Sequence, residues 1–285
     1  MIAFDFIDEH FSKAQAPQCE LSILIGMDSL CYLVSNYDRK VLLLRRYEYQ
    51  SVVSDFSKLV GPVQEILASD RQLQLSYRQT RIGVLNQKST LVPDRLFNER
   101  KKAAYLQNMF AAENNETVFA SPIDGFHSVL VYSLPGELIK MVQHALPSSQ
   151  IMHAASGQLN FLYRNNENVS GKQLFLNVRQ NLLQLILMDG NKLLIYNTFE
   201  YKSSRDFVYY VLLIYDQFDL GTDEVPIQVS GYILENSEIF QLLYRYVKDV
   251  KKANPGKHFQ LAGTLKSQAH MYMDLFCLSP VPVQS

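Results

Sequence analysis

Six histidines, three cysteines and two glutamates that close matched apolar runs are the side chains of this sequence best suited to acid–base, nucleophilic or metal chemistry. Their spacing supports none of these. His10, His127, His144, His153, His258 and His270 form no HExxH and no short metal-ligand spacing, so each reads as a surface or internally satisfied histidine. Cys31 lies inside an apolar run, where it acts as a small hydrophobe, and there is no GxSxG nucleophile elbow. Glu48 and Glu200 occupy equivalent places and are expected to cap or salt-bridge at strand ends rather than catalyse. Lys248, Lys251, Lys252 and Lys257 read as a solvated helix end, where cations suit the dipole. Tyrosines such as Tyr209, Tyr210, Tyr215, Tyr244 and Tyr246 offer contact area for recognition, but read mostly as core or lobe-interface residues whose hydroxyls reach solvent.

Composition narrows the classes further. A chain of 285 residues with 47% hydrophobic content can build two domains with real cores. Its 27 basic and 28 acidic residues leave a formal charge of -1, which argues against a nucleic-acid partner. Cys19, Cys31 and Cys277 are too scattered for a disulfide framework, so a reducing compartment is expected. The acidic start at Met1 to Glu9 is unlike a secretory signal, and the longest apolar run, Phe207 to Tyr215, is far shorter than the roughly 18 residues of a membrane span. The expectation is a cytoplasmic protein with no direct membrane insertion, whose partner is another protein.

The elements that would position any site occur twice. Leu21 to Gly26, Leu30 to Val34 and Val41 to Leu44 close on Tyr47-Glu48-Tyr49; Leu174 to Val178, Leu182 to Leu187 and Leu193 to Tyr196 close on Phe199-Glu200-Tyr201. Each set predicts a three-stranded meander, followed by a helix whose first residues include Asp55-Phe56 or Asp206-Phe207. Further strands are expected near 79–85, 117–122, 127–133 and 149–153, a hairpin around Asn86-Gln87-Lys88, and a helix over Pro93 to Phe110. The stretch 51–73 reads as helical but interrupted at Gly61-Pro62. Phe207 to Phe218, apolar on nearly every side, predicts a buried helix. Asp189-Gly190 signals a tight turn, and the polar run Arg164 to Gly171 a boundary between an N-terminal lobe over 1–165 and a C-terminal lobe over 172–285. The fold class is α/β: two lobes, each a mixed sheet flanked by helices.

This order resembles the duplicated ribonuclease-H-like fold of the actin-like ATPase superfamily. Leu21 to Asp28, Thr90 to Pro93 with Leu96-Phe97, Asn177-Val178-Arg179, Phe199-Glu200-Tyr201, Asp206 to Tyr210 and Val229-Ser230-Gly231 resemble more narrowly a family from Bacteroidetes bacteria, catalogued as domain of unknown function 3822. The resemblance runs from about residue 15 to the C-terminus. It implies where a nucleotide site would lie. Active members of the superfamily carry, after the first strand of each lobe, glycines that let backbone amides approach phosphates and a carboxylate for Mg²⁺ or water. Here the first lobe offers Gly26 and Asp28 with Leu24 at the carboxylate position; the second offers Asn177 for aspartate and Arg179 for glycine. The adenosine turn resembles Val229 to Ile233, with Gly231 kept and Tyr232 in place of a second glycine.

Gly26, Asp28, Asn177, Arg179 and Gly231 are therefore a remnant nucleotide cleft, with ATP and Mg²⁺ disfavoured and no catalytic or metal residue assigned. A two-metal nuclease is excluded at its first residue, because Leu24 and Asn177 stand where its carboxylate cluster would begin. The leading expectation is a catalytically inactive adaptor or scaffold, similar by fold to pilus-assembly and secretion adaptors. The rival is an ATPase or sugar-kinase-like enzyme in which Arg179 holds phosphate and Asp28 has shifted to the metal, with Asp124 and Asp189 as further candidates. A self-associating filament is a third class.

Overall fold

The computed structural model describes residues 1–50, 56–111, 115–165 and 170–279; Asp55, the start of the expected 51–73 helix and residues 166–169 of the polar run lie outside them. The chain forms two compact units. One comprises Met1–Phe161, Gly256–Lys266 and Leu275–Ser285, the other Leu162–Pro255 and Ser267–Asp274. A single cut of the chain does not separate them, because two segments beyond residue 255 pack with the first unit.

The first unit contains strands β1 (Ile2–Ile7), β2 (Glu20–Ile25), β3 (Ser29–Ser35) and β4 (Val41–Glu48), helix α1 (Val60–Ser69), then β5 (Gln79–Val84) and β6 (Ser89–Pro93). There follow α2 (Lys102–Gln107), β7 (Glu116–Ile123), β8 (Ser128–Pro135), α3 (Gly136–Ala145), β9 (Ser149–His153) and the first two-thirds of α4 (Ala154–Asn165), to Phe161. Its main sheet runs β1-β4-β3-β2-β5-β9, with β2, β5 and β9 parallel and the meander antiparallel. Every residue of β3 is buried, the outcome of an unbroken apolar run from Leu30 to Val34 covered on both faces. A small second sheet, β6-β8-β7, packs Val92, Val129 and Val131 against Leu106 of α2.

The second unit contains β10 (Lys172–Arg179), β11 (Leu182–Asp189), β12 (Lys192–Glu200), α5 (Ser204–Gln217), β13 (Ile227–Gly231), α6 (Glu238–Tyr246) and β14 (Val250–Lys252). Its sheet, β12-β11-β10-β13-β14, has the strand order of the first unit from β4 to β9. Asp189 pairs with Lys192 across the hairpin, and Gly190 supplies the positive φ of 53° that the two-residue turn needs. Alternate residues Leu174, Leu176 and Val178 of β10 share one core with Phe207, Val211 and Ile214 of α5 and Phe240 and Leu243 of α6. Ser203 starts α5 by accepting the Asp206 amide at 3.1 Å, and Ser237 starts α6 by accepting that of Phe240 at 3.3 Å.

Four expectations need correction. β5 and β6 form no hairpin: β5 is paired on both sides, by β2 and β9, so the chain leaves the sheet at Asn86 and β6 pairs with β8 instead. The 93–110 helix shrinks to α2 after two short 3₁₀ turns, because the Asn98 side chain accepts the Arg100 amide at 3.0 Å and starts the chain afresh there. Pro62 does not interrupt the helix: it lies in the first turn of α1, tolerated where no amide partner is needed, and a 3₁₀ turn over Phe56–Leu59 runs directly into Val60. Helix α5 is not buried all round: Tyr209 is 61% and Leu213 37% exposed.

Candidate functional site

In the second unit, β10 turns Asn177 and Arg179 to the side opposite its core residues, at the end of the strand. The register places Asn177 beside Gln184 of β11 and Ser230 of β13. Ser230 Oγ donates to Leu176 O at 3.0 Å and to Asn177 Oδ1 at 3.1 Å. The Asn177 amide, its oxygen so oriented, donates through Nδ2 to Asp274 Oδ2 at 3.3 Å. Arg179 closes the cluster as a two-pronged pair, Nε to Asp274 Oδ2 at 2.8 Å and Nη2 to Asp274 Oδ1 at 2.5 Å, and Nη2 also donates to Met271 O at 2.9 Å. Asp274 is fully buried and Arg179 only 4% exposed. The guanidinium is thus engaged by a carboxylate of the same unit, in the fork geometry that makes such pairs strong.

Gly231 has a backbone reason to be glycine. Its φ is +86°, and a Cβ there would stand 2.1 Å from Val178 O and 2.6 Å from Val178 N. The end of β13 presses onto β10, and the Tyr232 amide donates to Val178 O at 2.7 Å.

In the first unit the corresponding position is Leu24, placed by register beside Cys31 and Gly83. Gly83 is covered by Leu278, whose methyls lie 2.8 Å from where a Cβ would be, and Arg81 Nη1 donates to Leu278 O at 3.3 Å. Gly26 closes the β2–β3 turn through its amide to Ser29 O at 3.0 Å, and Asp28 Oδ1 lies 3.0 Å from where a Cβ on Gly26 would stand. The Asp28 carboxylate faces Arg46 Nη2 at 3.5 Å, while Arg46 Nη1 holds Glu48 at 2.8 Å. Gly26 and Asp28 thus lie together in one unit, and Asn177, Arg179 and Gly231 converge in the other. Asp124 sits in a turn with its amide on Asn160 Oδ1, and Asp189 ends β11. Glu48 and Glu200 each close a strand, Glu200 accepting from Asn181 Nδ2 at 2.7 Å.

Three polar residues carry much of the buried chemistry: Asp274 and Asp70, to which the sequence does not point, and His153, expected as a surface or internally satisfied histidine and found buried and hydrogen-bonded. Asp70, in the first unit, accepts from Tyr32 at 2.6 Å, Tyr47 at 2.8 Å and Arg45 Nη1 at 3.1 Å on one oxygen and from the Gln72 amide at 2.9 Å on the other. Burial would raise its pKa, but the hydrogen bonds from Tyr32, Gln72 and Tyr47 and the Arg45 charge hold it below the usual carboxylate value. His153 is fully enclosed: Nδ1 accepts the Ala155 amide at 3.2 Å, and Nε2 faces Asn86 O at 3.0 Å and Oδ1 at 3.2 Å. Two acceptors fix the proton on Nε2, and burial pushes the pKa down to about 4. Among the described residues no three His, Cys, Asp or Glu side chains converge as metal ligands, and no helix is long and apolar enough to cross a membrane.

Over residues 8–250 the sequence matches the family described as "Protein of unknown function (DUF3822)". No curated protein matches it. In three dimensions the chain is similar to a Bacteroides thetaiotaomicron VPI-5482 protein with an actin-like ATPase fold and unknown function, at 17% identity, with 92% of this chain and 98% of that chain covered and a TM-score of 0.77. It is also similar to the structure described as a PilM-PilN type IV pilus biogenesis complex, at 13% identity, covering 91% and 97% of the two chains with a TM-score of 0.60. At these identities the likeness carries the fold: an actin-like ATPase fold with two main mixed sheets flanked by helices, as the resemblance in sequence implied.

Proposed function

Because the chain belongs to the family described as Protein of unknown function (DUF3822) and has the actin-like ATPase fold, we propose that it is a cytoplasmic, non-catalytic scaffold that binds another protein. The observation that carries this reading is the buried Arg179–Asp274 pair. A Mg²⁺-bound phosphate at this corner needs a carboxylate free for the metal or a cation free for the phosphate. Asn177 is neutral, and Arg179 and Asp274 answer each other. Separating a buried pair of this kind costs about 3–5 kcal/mol, a penalty a nucleotide would meet on entry. Gly231 is explained by the fit of β13 on β10, and Asp28 faces Arg46 rather than standing alone. The residues present do not fit Mg²⁺–nucleotide.

A protein-binding role is supported by fold similarity to a chain solved within a PilM-PilN complex, which is an analogy of fold. Cys19, Cys31 and Cys277 are buried and outside any disulfide, which suits a reducing compartment. Isothermal titration with Mg²⁺–ATP, paired with thermal shift, tests the reading, since a ligand of the native state stabilises it. No heat and no shift at millimolar nucleotide is expected. Tight binding would overturn it and restore the ATPase or sugar-kinase-like reading, whose next check is loss of turnover in Asp28→Asn.

A further inference from the structure

The two sheets share a strand order but differ at one edge. In the first unit the third strand of the meander, β4, is covered by β1, which pairs with it antiparallel from Ile7 opposite Leu43 to Ile2 opposite Tyr47. The equivalent strand of the second unit, β12, ends its sheet: among the described residues no strand pairs with its outer side. It is nine residues long, Lys192 to Glu200, with charges at its two ends and none between. The opposite edge of the same sheet, β14, has three residues and carries Lys251 and Lys252, the kind of short charged edge that resists further pairing. So one edge of this sheet is guarded and the other is not.

An exposed apolar shelf adjoins the unguarded edge. The Phe199 ring of β12 stacks on Tyr210 of α5 at 4.5 Å, and Tyr210 meets Tyr209 edge-on at 5.7 Å. Tyr209 and Leu213 are one turn apart on α5 and both face solvent. Exposed tyrosine and leucine beside a sheet edge with no further strand among the described residues are features of an association surface, since the edge offers directional hydrogen bonds and the shelf offers area.

We propose that the chain forms a symmetric dimer through β12, the edge of one copy pairing antiparallel with the same edge of a second copy so that the two five-stranded sheets join. Charge selects this occupant. Antiparallel pairing of β12 with itself, in the register that superposes its ends, sets Lys192 of each copy opposite Glu200 of the other, two attractive pairs made from one strand. Geometry agrees. The two-fold axis of such a pair stands perpendicular to the joined sheet, so both α5 helices lie on one face and their Tyr209 and Leu213 patches meet across the seam. A foreign strand would use the edge but leave the shelf uncovered. Within one copy, Asn197 Oδ1 covers the Thr198 amide at 2.8 Å, a local contact that strand pairing replaces. The dimer is independent of whether the corner at Arg179 binds nucleotide.

Sedimentation velocity of the full chain over a range of concentrations tests this, with circular dichroism to confirm that each variant folds. The wild type sediments as a dimer at high concentration. Lys192→Glu turns two attractive contacts into two repulsive ones and weakens the dimer by about tenfold, as does Glu200→Lys, while the double variant Lys192→Glu/Glu200→Lys restores it. Tyr209→Lys, on an exposed position, weakens it as well. A monomer at every concentration overturns the proposal. So does a dimer that none of these variants weakens, or a monomer that binds an added strand peptide at β12, because the occupant is then a foreign chain.

Discussion

The two units place different chemistry at the same topological corner. In the first, the end of β2 is apolar: Leu24 lies beside Gly83, and Leu278 covers Gly83. In the second, the end of β10 is polar and charged: Asn177 and Ser230 hydrogen-bond in register, and Arg179 grips a fully buried Asp274. One corner is filled by hydrocarbon and the other by an ion pair. The comparison also separates two ways of burying polarity. The first unit keeps His153 neutral inside a hydrogen-bonded network, whereas the second neutralises a full charge with its counter-charge.

The largest effect should come from unbalancing the second corner. Asp274→Leu leaves the Arg179 guanidinium buried without its carboxylate, at a cost of about 3–5 kcal/mol, whereas Arg179→Leu/Asp274→Leu recovers most of that loss. Urea denaturation of the two variants makes the measurement. A single variant that costs less than about 1 kcal/mol, the range of exposed pairs, would mean that the pair does not hold the corner, and the contrast with the apolar corner would fall.

The first unit should respond to acid through His153. Its folded pKa of about 4 lies below the unfolded value of 6.5, so the folded state resists protonation. The stability contributed is complete above pH 6.5 and is lost as pH falls from 6.5 towards 4, in all about 3 kcal/mol. Urea midpoints of the wild type and His153→Gln at pH 7 and pH 4.5 read this out. The variant should show the shallower pH dependence; parallel curves would show that His153 is not the acid-sensitive group of this unit.

Much of this framework was legible in the chain, and the reason is locality. Each meander is three consecutive apolar runs joined by short turns, so its pairing partners are neighbours in sequence. The elements that escaped notice are those whose partners are distant. β1 is a short run carrying Asp5, and its meaning lies in β4, where Arg45 holds Asp5 with two hydrogen bonds. Helix α4 mixes Ser156, Gly157, Gln158 and Asn160 with its apolar residues, a composition with weak helical signal, and is fixed by burial of Ala154 to Leu159. Arg179 was legible as a departure from a phosphate loop, but its explanation was not, because Asp274 stands 95 residues further along. The hairpin expected at Asn86 failed for the same reason, since β9, which occupies the far side of β5, comes more than sixty residues later. Helix α5 was read as wholly buried because tyrosine is apolar in body and polar at its tip, so its pattern does not say which end meets water.

The smallest effect sharpens the comparison from the side of the first unit, which also buries a carboxylate. Asp70 differs from Asp274 in how it is held: hydroxyls of Tyr32 and Tyr47, an amide and Arg45 share the load. Burial first, and then the hydrogen bond to Asp70, push the Tyr47 hydroxyl up to about 12, so it remains a donor throughout the working pH range. Tyr47→Phe removes one hydrogen bond and leaves the charge attended by the others, so the expected loss is about 1 kcal/mol, read from urea denaturation at pH 7. A loss as large as that of Asp274→Leu would mean that a carboxylate held by several donors is no more tolerant than one paired with a single cation. The two units would then differ in the identity of their buried groups but not in how those groups are secured.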